Sequence, residues 1–250
     1  MKIIHCLTSL LRRHTARFLE VELNIPTFIK AIFLIAAASL VWPNNQCALA
    51  SGIRAEGQEV DGLREGLWKT FNSNGQLMSE SHYSAGLRDG EWKAYDNSGK
   101  IVRSGFYKEG KQTGPWYFFN NGIPVSHGIY LDDEKHGIWN FYDEHGYLLN
   151  RREYQYGIED GVRERYYPNG QLEYVHYARD GKWNGAWLDY YPTGNLKLES
   201  YYENFRKVGI WKYYHENGKL RETGRYEGFE KVGVWYHYDE SGALTNIQEY

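Results

Sequence analysis

The chain has 250 residues with 42 aromatic side chains (9 Trp, 23 Tyr, 10 Phe), 27 Gly and 6 Pro, an aromatic load that excludes a disordered chain. Aliphatic residues are scarce after the first 50 positions, where Tyr and Trp replace them, so a thick Leu/Ile/Val core is not expected. Both cysteines, Cys6 and Cys47, lie in those first 50 residues, which excludes disulfide, thiolate and cysteine-metal chemistry from the rest. The remaining residues hold 24 Lys and Arg against 30 Asp and Glu, a net charge of −6, and this removes the usual electrostatic driving force for nucleic acid.

Residues 1–50 read as a signal peptide or an N-terminal membrane segment. The run Ala31 to Trp42 is apolar, follows Lys2, Arg12, Arg13, Arg17 and Lys30, and precedes Pro43 and the small-x-small site Ala48-Leu49-Ala50. Twelve apolar residues are few for a membrane span, so the pattern predicts cleavage after Ala50. An inner-membrane anchor over residues 25–42 is the alternative. Residues 51–59 read as a short linker.

A Gly-x-Trp step then recurs at Trp68, Trp92, Trp116, Trp139, Trp187, Trp211 and Trp235, and Gly161-Val162-Arg163 fills the one missing place; the spacings are 24, 24, 23, 24, 24, 24 and 24. Three residues after each Trp position stands an aromatic, from Phe71 and Tyr95 to Tyr238, and a polar turn then closes on Gly75, Gly99, Gly122, Gly146, Gly170, Gly194, Gly218 or Gly242. A Tyr follows each turn, except that Ala178 holds the place in the fifth unit. Asn-Gly and Ser-Gly supply the positive φ of hairpin turns. Each unit therefore predicts one β-hairpin. Lone hairpins are marginal, so they must stack. The expected fold is all-β, an elongated single antiparallel sheet of eight 24-residue hairpin repeats over residues 60–250. Trp and the aromatic three residues later have opposite parity, so both faces carry rings unless the glycines bulge the strand.

The unit beginning Gly209-Ile210-Trp211, with Tyr214, Asn217-Gly218, Leu220 and Tyr226, resembles the MORN-repeat variant of many bacterial proteins, and the resemblance covers residues 60–250. Similar chains often carry the name of a YwqK-type antitoxin. The resemblance implies a sheet of hairpins that serves as a protein-interaction or scaffold module, with peripheral membrane contact among the roles suggested for such sheets.

The seven repeat tryptophans are expected to pack units together, since rings at fixed hairpin sites usually join neighbours. Trp183 stands apart in what reads as the loop Gly181-Lys182-Trp183-Asn184, and it is the first candidate for a partner contact. Arg163, in a Trp place and followed by Glu164 and Arg165, marks the fifth unit as a second candidate seam; a decayed repeat is the other reading of Arg163 and Arg165. The seven histidines after residue 50 show no ligand spacing. Asp132-Asp133-Glu134 lacks the pattern of a calcium loop. No nucleophile elbow, phosphate loop or dinucleotide fingerprint occurs. The sequence thus predicts no catalytic site, no metal site and no cofactor. It predicts an exported, periplasmic or extracellular, scaffold that binds another protein, with a glycan-binding aromatic array and an antitoxin as the alternatives.

Overall fold

The computed structural model describes residues 52–250. They form seventeen strands, from β1 (Arg54–Val60) to β17 (Leu244–Glu249), with no helix among the described residues. Each strand pairs antiparallel with the next in sequence, so the sheet is a single open meander. The segment expected to be a linker contributes β1 instead. This strand is the second half of an incomplete unit, and its Gly57 receives the first repeat tryptophan as described below.

Two turn types alternate. Within a unit, Asn72 N–H donates to Gln76 O (2.9 Å) and Gly75 N–H to Asn72 O (2.9 Å), while Asn72 Oδ1 accepts from Asn74 N–H and Gln76 N–H. Between units, two residues at positive φ suffice, as at Ala85 (48°) and Gly86 (82°), the geometry that matches strand twist. The third unit is one residue short inside its hairpin, and Asn121-Gly122 makes a two-residue turn there between β6 (Lys111–Asn120) and β7 (Ile123–Leu131).

The Gly-x-Trp step is a bulge facing the preceding unit. Strand β2 (Leu63–Phe71) pairs with β3 (Leu77–Ser84) in unbroken register from Gly66 to Thr70, placing Trp68 opposite Ser81. Against β1 the register jumps from Glu56↔Lys69 to Gln58↔Glu65, so Gly57 alone faces Gly66, Leu67 and Trp68. Gly66 takes φ 66°, a region side chains resist. The bulge lays each indole over the backbone of the previous unit. Cβ atoms placed on Gly57, Gly105, Gly128 and Gly224 would lie 2.4, 2.2, 2.4 and 2.2 Å from the rings of Trp68, Trp116, Trp139 and Trp235. From these four seats the indole Nε1 donates to the next carbonyl, at Gln58, Phe106, Ile129 and Arg225, over 3.0 to 3.3 Å.

The core is consequently a row of rings on one face. Five of the seven repeat tryptophans are buried, with Trp92 and Trp187 partly so. The second-strand tyrosines stand edge-on between them, Tyr130 at 5.8 Å from Trp116 and 5.0 Å from Trp139, a favoured aromatic geometry. A cation four residues before the Trp covers the ring at Arg64, Lys135, Lys207 and Lys231, between 3.9 and 4.6 Å from the centroid. Because the bulge precedes Trp, the next three residues alternate normally and the following aromatic lies on the opposite face. There Tyr95 donates to Glu80 (2.6 Å) and Tyr214 to Glu199 (3.3 Å). Rings thus occupy both faces, with the tryptophan face the more buried.

Candidate functional site

The regular unit has four linked places on its buried face: a seat eleven residues before Trp, a cation four before, the Trp itself and the later Tyr. Around the fifth unit all four are changed together. Arg163, on β10 (Ile158–Tyr166), replaces Trp, and Arg152, on β9 (Leu148–Gln155), occupies its seat directly across the strand pair. Glu159 takes the cation's place. It is 3.8 Å from Arg152 Nη1 and 3.6 Å from Arg163 Nη1, too long for hydrogen bonds, and the Nε atoms of both arginines are buried without partners among the described residues.

On β11 (Leu172–Arg179), His176 fills the next seat, opposite Arg163 on one side and Trp187 on the other. The residue is 2% exposed. Burial, and then the charge of Arg163, push its pKa down to about 4, so the imidazole is neutral. With a side chain in its seat, Trp187 cannot reach a backbone carbonyl and donates instead to Asp189 Oδ1 at 2.6 Å. Burial raises the Asp189 pKa, and this hydrogen bond opposes the rise.

Trp183 belongs to β12 (Lys182–Tyr190), not to a loop. It is also on the repeat grid, at the place of the ring-covering cation. Its Cα pairs with that of Ala178, where other units carry Tyr, and its indole fills the vacated space. The ring lies edge-on to Trp187 (4.9 Å), Tyr202 (5.5 Å), Phe205 (5.5 Å) and His176 (5.9 Å). Arg163 and Trp183 are therefore neighbours of one residue, His176. Arg165 sits two positions along β10, half-exposed, with its Nε 2.8 Å from Glu173.

Sequence reasoning misses Arg152, Glu159, His176 and Asp189. Comparing the seat residues Gly57, Ser81, Gly105, Gly128, Arg152, His176, Ser200 and Gly224 would have found two of them. Lys135, next to this group, lies over Trp139, Phe141 and Tyr154, and burial followed by the Arg152 charge lowers its pKa. Chemically, the arrangement offers guanidinium donors beside aromatic rings.

Known proteins bear on the repeat itself. No curated protein matches the chain. Among solved structures, those with similarity include TarM (TM-score 0.24, 9% identity, covering 70% of this chain and 29% of that one). A second is a point mutant of S. aureus TarM in complex with Fondaparinux, alpha-GlcNAc-glycerol and UDP (0.25, 9%, 73% and 31%). A third is TcdB2-TccC3-Cdc42 (0.20, 12%, 78% and 14%). The chain spans less than a third of the length of these structures. The family model described as MORN repeat variant matches residues 64–85, 88–109, 159–180, 183–204 and 207–227. Each matched segment begins at or one residue into a bulged strand and ends at or before the turn that leads to the next unit. With five phased matches on the hairpin period, the chain is a MORN-repeat protein of the variant type.

Proposed function

We propose that the chain is a non-catalytic scaffold that binds another protein along the sheet face opposite the tryptophans, and that it works in the cell envelope after export. The observation that carries the binding reading is a groove on that face, lined by Pro115, Tyr117, His127, Ile129, Ile138 and Arg151 among others. Ile129 is 48% exposed and Ile138 42% exposed, and Leu67, Phe106, Ile210 and Val234 at equivalent places are 42% to 51% exposed. The apolar run covers Phe106, Pro115, Ile129 and Ile138 on successive strands, bounded by Glu91 and Glu153 at the equivalent places on either side, and an exposed patch of this kind on an open sheet face marks an interaction surface.

Export rests on the leader pattern, which lies outside the described residues, and it favours an envelope partner over the cytoplasmic toxin that an antitoxin would need. Cross-linked capture from the cell envelope with mass spectrometry tests the reading. Wild type should retain a protein that Ile138→Lys loses, at unchanged melting temperature; equal capture by both sinks the groove assignment. Intact mass of extracytoplasmic protein should correspond to a chain starting at Ser51, and peptides containing Cys6 or Cys47 in that protein would refute cleavage.

A further inference from the structure

We propose that the Arg152–Arg163 pair is a second binding site, on the tryptophan face, that takes the carboxylates of an acidic peptide segment of a protein partner. It is independent of the apolar groove.

Residues 51–250 carry net charge −6, yet across the four strands from β8 (Glu134–Tyr142) to β11 this face gathers Lys135, Arg152, Arg163 and Arg165 against Glu159 and Glu173. Glu173 is engaged by Arg165 at 2.8 Å. Glu159 alone serves two guanidinium groups, at 3.6 and 3.8 Å, without closing a hydrogen bond to either. Buried donors normally have acceptors, and here the two Nε groups have none among the described residues. The arginine side chains remain 28% and 24% exposed, so part of each is open to an incoming group. Arg152 Cζ lies 5.1 Å over the Phe141 ring.

A planar fork held beside rings suits bidentate carboxylate recognition. Four strands span only about 15 Å at the usual spacing, enough for one or two carboxylates and too little to overcome repulsion of a long polyanion by the rest of the sheet. Glu159 then acts as an internal competitor that the incoming carboxylate displaces. His176, opposite Arg163 on β11, is neutral and adds no charge to the site.

Calorimetric titration of the full chain with hexaglutamate tests this. Wild type should bind with marked salt sensitivity. The double substitution Arg152→Gly with Arg163→Trp rebuilds the regular seat and its indole, so it should melt no lower than wild type while binding at least about tenfold more weakly. Glu159→Gln should bind more tightly, a gain that no loss of folding can imitate. Equal binding by wild type and the double variant overturns the site, as does weaker binding by Glu159→Gln. Displacement of hexaglutamate by inorganic phosphate at equal concentration would reduce it to a simple anion site and overturn the peptide assignment. If envelope capture is lost in Ile138→Lys but unchanged in the double variant, and the latter still binds hexaglutamate, this proposal fails while the scaffold reading stands; the reverse pattern spares this site and removes the groove.

Discussion

The imidazole of His176 lies flat on the indole of Trp187, with ring centroids 4.2 Å apart and planes 3° from parallel. Stacked there and held neutral down to about pH 4, it ties stability to pH. The unfolded chain takes up a proton at the ordinary histidine value and the folded chain does not, so stability present at neutral pH is lost as pH falls through this window. The loss should approach about 3 kcal/mol. Asp189, whose pKa burial raises, works the other way, since protonation relieves its cost as pH falls. Urea titrations of wild type and His176→Phe at stepped pH should show a decline above the carboxylate range in wild type and little in the variant.

Gly224 admits the Trp235 ring only because it has no Cβ, which would lie 2.2 Å from the indole. Gly224→Ala should destabilise by about 1 to 3 kcal/mol through overpacking. At Ser200 the seat already holds a Cβ, and its Oγ donates to Trp187 O at 3.1 Å, so Ser200→Ala should cost only about 1 kcal/mol. Chemical denaturation of the two variants compares them; equal losses would mean that the seat is not sterically limited.

Trp116 is 1% exposed, and Trp116→Ala should cost about 3 to 5 kcal/mol. Trp183 is partly exposed but fills the Ala178 gap, so Trp183→Ala should lose stability by about 1 to 3 kcal/mol. Ala178→Tyr combined with Trp183→Lys, which restores the regular pair, should recover it. Thermal melts decide, and failure of the double variant to recover would break the link between the two departures.

Removing one whole period, Trp187 to Ile210, joins Ala186 to Trp211 in the same register and should leave a soluble β-rich chain. Removing half of it joins strands of opposite role. Circular dichroism and solubility should separate the two variants, and equal disruption would contradict unit-by-unit stacking.

The period, the hairpin turns and the packing role of most tryptophans were legible because eight copies repeat the same turn chemistry, and positive φ restricts which residues can close a turn. Strand β1 was not legible, since it carries no Trp or Tyr and only Gly57 marks it. The seat was hidden because its residue lies eleven positions from the indole it receives, and the two meet only once the bulged register is known. Trp183 was misplaced for a similar reason. The gap it fills belongs to Ala178, across the Asp180-Gly181 turn, so neither departure explains itself alone.

The meander also sets how the chain can reach this structure. The widest strand pairing joins Lys207 to Gly228, 21 positions apart, so no loop longer than a single unit must close before a pair is rewarded. All-β proteins are ordinarily slow to fold because distant strands must find one another. Here each hairpin closes on its own sequence and the next adds to its edge, so structure can accumulate from the first units while later ones are still being made. The kinetic cost of an all-β fold is thereby confined to the length of one repeat.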